Sequence, residues 1–405
     1  MNRSRLAVPV FTILAMAVFM TSVAAAQTPP PGGDERPTLT LGPVELRPRL
    51  ILHSIGVDNN VFNEADNPKR DFTFGTQPDI EFTVKPGPLK VVWLVGTDYI
   101  WYKDYASERT LSRSSNLNVD LTLRAFRPFF NFSIADTSSR PSPEIDARAR
   151  RYPRTFAAGA TVKVATRTTL GFKWADGRER YEEDEQFRGQ DLAATLNNDS
   201  KTLEGSVAFE LSPLTTFSVI VGRDELTFEP APLRNSTSMR VYPTLTFNPA
   251  GVINGTASIG YKTFDGDDPA MPDYTGLAMN GSVSVVFGQR YRVESRFTRD
   301  VQYSYEEALP YYVLTGVRGT LSTQLTNLLD FRVTAGQERM RYEAYADAGS
   351  PGTDRQRVLG GGIGFRIGDR KRLVIQAEFT ERDSPRDRLR EFTNHRIFGT
   401  VTWGA

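Results

Sequence analysis

The chain has 405 residues, 49 of them basic and 48 acidic, with a formal net charge of +1, two histidines and no cysteine. The missing cysteines exclude disulfides, thiol catalysis and cysteine-ligated metals. The near balance of charge offers no electrostatic case for nucleic acid.

The N-terminus reads as a secretory signal peptide over residues 1–26. Arg3 and Arg5 precede the uncharged apolar run Leu6 to Val23, and Ala24-Ala25-Ala26 supplies small residues for cleavage after Ala26. The alternative is an uncleaved anchor, since the run is nearly long enough to span a bilayer. Residues 27–42, with Pro29-Pro30-Pro31, read as a Pro/Gly-rich periplasmic leader. Beyond residue 26 every apolar run is strand-sized. An exported chain without a further apolar span is periplasmic, secreted or in the outer membrane, where only helices and closed barrels satisfy the backbone in lipid.

From 43 to 405 the pattern predicts strands at 44–56, 70–85, 88–104, 113–127, 128–137, 154–166, 167–180, 198–211, 214–227, 237–248, 250–264, 275–288, 290–304, 310–325, 327–344, 355–368, 371–383 and 391–404. Odd-to-even connections are long and polar. Even-to-odd connections are a few residues, as at Pro86-Gly87-Pro88, Arg127-Pro128, Ser212-Pro213 and Gly288-Gln289-Arg290. Short periplasmic turns and long extracellular loops are the mark of a transmembrane β-barrel. The fold expected is therefore an all-β, antiparallel up-and-down barrel of about 18 strands in the outer membrane of a Gram-negative bacterium, with 16 strands as the alternative.

Alternation separates a barrel from a dry sandwich. Tyr291, Val293, Ser295 and Phe297 share one face, and Arg292, Glu294, Arg296 and Thr298 the other. Leu359, Gly361, Ile363, Phe365 and Ile367 alternate with glycines and Arg366. Faces so charged require a wet lumen. Aromatic girdles are predicted at the outer interface from Tyr99, Trp101, Tyr102, Tyr105, Tyr303, Tyr305, Tyr311 and Tyr312, and at the inner one from Phe126, Phe129, Phe287, Tyr291 and Trp403.

The segment Gly56-Val57-Asp58-Asn59-Asn60-Val61-Phe62, followed by Pro78-Asp79-Ile80, Val84-Lys85-Pro86 and the strand Val91 to Tyr102, resembles the opening of the β-barrel porin 2 family of bacterial outer-membrane β-barrel proteins. The resemblance implies a barrel of porin-like size. Some members of that family sit with exopolysaccharide secretion systems, and the family carries no agreed catalytic residues.

Several residues stand out as candidate sites. The loop Thr137 to Arg154 carries Arg140, Arg148, Arg150, Arg151 and Arg154 with Glu144 and Asp146. It can fold inward as a basic constriction or stay outside against lipopolysaccharide phosphates. Asp98, Lys173, Asp224, Arg292, Glu294, Arg296, Arg332 and Arg366 form the pore-lining set; facing ladders of charge select polar solutes or simply hold the wall. Glu182, Glu183, Asp184 and Glu185 read as a hydrated acidic run rather than a calcium loop, as do Asp265, Asp267 and Asp268. His53 and His395 lie in the first and last strands without an evident third ligand. No cofactor, metal or catalytic residue is expected, and no Gly-x-Ser-x-Gly elbow or phosphate-cradling loop occurs.

The expected function is a porin-like channel for polar solutes, including saccharides. The alternatives are an outer-membrane component of exopolysaccharide export, which needs a periplasmic export partner, and a structural or adhesive barrel without transport. Expected partners are outer-membrane lipid and lipopolysaccharide, a polar solute or polysaccharide, and further copies of the chain.

Overall fold

The computed structural model describes residues 38–345, 351–368 and 370–404. The signal peptide with Ala26, and most of the leader, lie outside the described residues. The chain forms eighteen long antiparallel strands closed into one barrel. They are β1 (Val44–Asp58), β2 (Asp71–Val84), β3 (Leu89–Tyr102), β4 (Thr110–Leu121), β5 (Phe126–Ser139) and β6 (Arg154–Lys163). Next come β7 (Thr168–Glu179), β8 (Asn198–Ser212), β9 (Thr215–Thr227), β10 (Ser236–Phe247), β11 (Ile253–Gly266) and β12 (Tyr274–Phe287). The last are β13 (Tyr291–Tyr303), β14 (Tyr311–Gln324), β15 (Leu329–Glu343), β16 (Thr353–Ile367), β17 (Lys371–Asp383) and β18 (Phe392–Trp403).

Each strand pairs with its sequence neighbours, and β1 pairs with β18 to close the ring. Closure leaves no staves with bare edges in lipid, which the bilayer requires. The outward face is apolar and exposed: Leu170, Phe172 and Trp174 on β7, and Leu359, Ile363, Phe365 and Ile367 on β16. The intervening residues turn into the lumen. Leu39–Leu41, within the leader, pairs with Val44–Leu46 and prolongs the wall at the periplasmic end below the seam.

One turn lies elsewhere than its sequence suggests. β4 ends at Leu121, and Thr122 to Ala125 make the reversal, with the Leu123 N–H donating to the Phe126 carbonyl at 3.0 Å. Pro128 is inside β5, opposite Ala160 of β6. On its other side β4 pairs only as far as Asp120 with Phe129. Pro128 therefore faces no partner there, and its missing N–H leaves no gap in the ladder.

The Asp58-Asn59-Asn60 segment fastens the seam. Asn60 donates to the carbonyls of Glu64 (2.9 Å) and Thr393 (3.0 Å), and Asn394 donates to the Asn60 carbonyl at 2.8 Å. Asn59 Oδ1 accepts the His395 N–H at 2.7 Å, and Arg396 pairs with Asp58 at 3.3 Å. These side chains take up backbone groups where the ladder ends.

A bulge at Leu52 to Ile55, with Ser54 at φ +52°, breaks the register of β1 against both neighbours. It aims His53 over Gly75 of β2 to reach Asp98 of β3 at 2.8 Å. A Cβ on Gly75 would sit 2.3 Å from the His53 ring. Gly75→Ala is expected to displace His53, separate it from Asp98 and cost about 1–3 kcal/mol. Urea titration of the refolded barrel reads this; an unchanged midpoint refutes it.

Candidate functional site

The long loops all lie at one end of the barrel, and the largest polar structure there is built by the loop between β5 and β6. Ala149–Arg151 first pairs back on Thr137–Ser139, carrying the hairpin beyond the wall. The tip then crosses the mouth. Glu144 and Ile145 are 0% and 2% exposed. Ile145 packs with Tyr181, Phe187, Leu192 and Leu196 of the neighbouring loop between β7 and β8, whereas the partners of Glu144 lie across the ring, in β17 and the loops before β14 and β18.

Glu144 Oε1 accepts from Ser304 Oγ at 2.6 Å, and Oε2 accepts the Tyr305 N–H at 3.2 Å. Arg382 of β17 donates to the carbonyls of Pro143 (3.0 Å) and Glu144 (3.3 Å) and to Asp354 at 2.8 Å. Arg390 donates to the Glu144 carbonyl at 3.1 Å and to Glu306 at 3.1 Å. Arg386 joins Glu306 at 3.0 Å and stacks over the Tyr342 ring at 3.9 Å. Ser384 donates to Asp354 at 2.7 Å. The result is a buried ionic hub. It depends on the loop being in place, because the loop supplies two of its carbonyl acceptors and two of its carboxylates, Glu144 and Asp146.

Burial pushes the Glu144 carboxyl up to about 7, against the pull of Arg390. Burial also raises that of Glu306. The seated loop therefore holds a proton that a released loop surrenders down to the ordinary carboxylate range. Seating strengthens as pH falls from about 7 toward the ordinary carboxylate range, and above about 7, where both states are ionised, it no longer changes with pH. Trypsin cleavage in the loop, measured as the ratio of wild type to Glu144→Gln at each pH, is expected to rise from pH 6 to pH 8. A flat ratio refutes the titration.

The four arginines predicted for a basic constriction are each held by a local partner. Arg140 donates to the Val61 carbonyl at 3.0 Å. Arg148 pairs with Glu108 at 3.2 Å and donates to the Tyr102 hydroxyl. Arg150 grips Asp136 with two bonds of 3.0 and 2.9 Å, and Arg151 meets Glu179 at 2.6 Å. Arg154 begins β6 and lies over the Phe132 ring. Glu182 accepts from the Tyr152 hydroxyl and Glu185 from the Arg150 N–H, so the acidic run braces this same loop.

The same insertion moves several tyrosines away from the outer girdle assigned to them. Tyr102, Tyr305, Tyr311 and Tyr312 are buried among loop and lumen groups, because the inserted loops cover them. Tyr99 remains exposed on the outer face, and Phe126, Phe287, Tyr291 and Trp403 do so near the periplasmic end.

The wall charges divide into two sectors. On β7 to β11 each cation has a carboxylate partner: Lys173 meets Glu204 at 2.7 Å, Arg240 bridges Glu204 and Asp224, and Lys262, opposite Arg240, reaches Asp300 of β13 at 2.7 Å. On β13 to β17 arginine dominates: Arg292, Arg296, Arg318, Arg332, Arg366 and Arg372 stand with Glu294 and Asp330. Among the described residues no three His, Asp or Glu side chains could hold a metal ion; His53 pairs with Asp98, while His395 packs on Phe379.

The family model described as "Putative beta-barrel porin 2" matches residues 40–404. The chain belongs to that family. It is an outer-membrane β-barrel of Gram-negative type with a porin-like channel for polar solutes. Solved porins of similar fold include OpdK from Pseudomonas aeruginosa, 11% identical with TM-score 0.46, the match covering 88% of this chain and 99% of that one. A BenF-like porin from Pseudomonas fluorescens Pf-5 is 11% identical with TM-score 0.48, covering 88% and 98%. OccK2 (OpdF) from Pseudomonas aeruginosa, solved in complex with glucuronate, is 10% identical with TM-score 0.50, covering 88% and 98%. No curated protein matches the chain. The Asp58-Asn59-Asn60 resemblance spans only the start of the chain, whereas the family match runs through the barrel.

Proposed function

We propose that this porin 2 family barrel passes small polar solutes, saccharides among them, and that the loop between β5 and β6 is its constriction. The observation that carries this is the pairing of a charged lumen wall with a loop seated across the mouth by a buried hub. Asp98, Lys173, Asp224, Arg292, Glu294, Arg296, Arg332 and Arg366 line the wall in this reading, and the loop narrows the route from outside. We infer transport rather than catalysis, and removal of residues 1–26 during export.

The test is single-channel conductance of the refolded protein in a planar bilayer, with oligosaccharides added as blockers. A stable conductance reduced by sugars supports the reading. A verified barrel that never conducts overturns it in favour of a structural or adhesive barrel. That second reading draws its support from the arginines of the loop, each already held by a local group. A role in exopolysaccharide export would need a periplasmic export partner.

A further inference from the structure

We infer that the lumen face of β13 to β17 is a binding track for hydroxylated solutes that carry an oxyanion. The inference rests on the channel reading and names its solute class.

The strand register places the arginines in three rows. Arg296 of β13 lies directly opposite Arg318 of β14. Arg292 and Arg332 flank Ser322 in the next row. Arg366 of β16 lies directly opposite Arg372 of β17. Arg292 lies four residues before Arg296 along β13, nearer the periplasmic turn, and Arg366 lies four after Gly362, in the Arg332 row, along β16 toward the same end. At strand rise that is a step of about 13 Å toward the periplasm.

Like charges directly opposite one another destabilise a sheet; where β10 and β11 place Arg240 opposite Lys262, the carboxylates of Glu204, Asp224 and Asp300 neutralise the two cations. Arg296, Arg318 and Arg366 form no ion pair among the described residues, while Glu338 stands within electrostatic reach of Arg318. Arg332 is bound to Ser322, and Arg372 to Asp330. Arg292 meets Glu294 at 3.7 Å, so the positive sector holds some counter-charge but leaves Arg296, Arg318 and Arg366 outside its ion pairs.

The wall beside the arginines carries small and hydroxylated residues, with Glu294 opposite Thr320. Gly336 lies opposite Arg318, whose side chain extends across it, and Gly362 lies opposite Arg332, so neither glycine adds a side chain to crowd the arginines. Thr320 and Thr334, 3.1 Å apart at the hydroxyls, lie between the first and second rows. A guanidinium fork binds carboxylate or phosphate with two parallel bonds, and threonine hydroxyls suit sugar hydroxyls. An anion seated between Arg296 and Arg318 relieves their mutual repulsion.

The test uses the full refolded chain in detergent, its fold verified by heat-dependent gel mobility. Galacturonate, galactose and inorganic phosphate are titrated by calorimetry into wild type and into the double variant Arg296→Gln/Arg318→Gln. Galacturonate is expected to bind at least about tenfold tighter than galactose, and the double variant to lose about tenfold for galacturonate. Binding by phosphate alone still supports an oxyanion track and identifies phosphate as its ligand. Equal binding of galactose and galacturonate, no binding of either anion, or an unchanged folded variant overturns the track. Conductance separates the two readings. A barrel that binds anions but never conducts overturns the channel and leaves the track standing, whereas one that conducts without anion binding overturns the track alone.

Discussion

Arg382→Ala is expected to cost about 3–5 kcal/mol, because it strips a charge partner from groups that have no water to replace it. Arg382 and Asp354 side chains are both 0% exposed. Removing the guanidinium leaves Asp354 with Arg386 at 3.4 Å, Arg390 at 3.5 Å and Ser384, and leaves the carbonyls of Pro143 and Glu144 short of a donor. The loss falls on the mouth rather than the staves, since the β16–β17 ladder does not depend on this side chain. The variant barrel should still run as a compact band on an unheated gel, while the loop between β5 and β6 becomes open to protease and single-channel current rises. Adding Asp354→Asn should recover part of the loss, because a double-mutant cycle isolates their coupling. A variant with a protected loop and unchanged current would show that the hub does not seat it.

Ile363→Arg is expected to cost about 2–4 kcal/mol, the penalty for a cation on the lipid face near the bilayer midplane. Ile363 is 44% exposed, with Phe331 and Ile375 beside it on the two adjoining strands, both also exposed. Their exposure is to hydrocarbon, so the arginine has no hydrogen-bonding partner within reach. Arg366→Ala, three residues on but facing the lumen, should leave stability within about 0.5 kcal/mol and shift the ion preference of the open channel. Equilibrium unfolding in lipid vesicles measures both. Equal losses would mean that the two faces of β16 have been confused.

The staves were legible because period-two alternation is a local property. A residue such as Ile363 declares its face through neighbours two positions away. The turn near Pro128 was misplaced for the same reason: proline signals a break locally, and only the length of β4 shows that its lost N–H goes unused. That the loop from Thr137 to Arg154 could fold inward was legible from its length and charge, but what seats it was not. Glu144 reads as one acid among arginines, and its partners Ser304, Arg382 and Arg390 lie 160 to 246 residues away in sequence. Tyr311 and Tyr312 were taken for interfacial aromatics, because nothing in a strand end reveals a loop lying against it. The wall arginines were legible singly. The rows emerge only from register, which places Arg296 beside Arg318.

The asparagine fastening at the seam has a consequence for assembly. Asn60 and Asn394 are joined across a separation of 334 residues, so no partial chain can make that contact. A barrel missing β18 would expose one edge of β1 and one of β17, each able to recruit a foreign strand. Loop-closure entropy for such distant pairing is met late, after the sixteen internal staves already support one another. The Asp58-Asn59-Asn60 segment therefore serves as a completeness test: it engages only when the whole polypeptide has arrived, and a chain clipped near its end fails by leaving that lock empty.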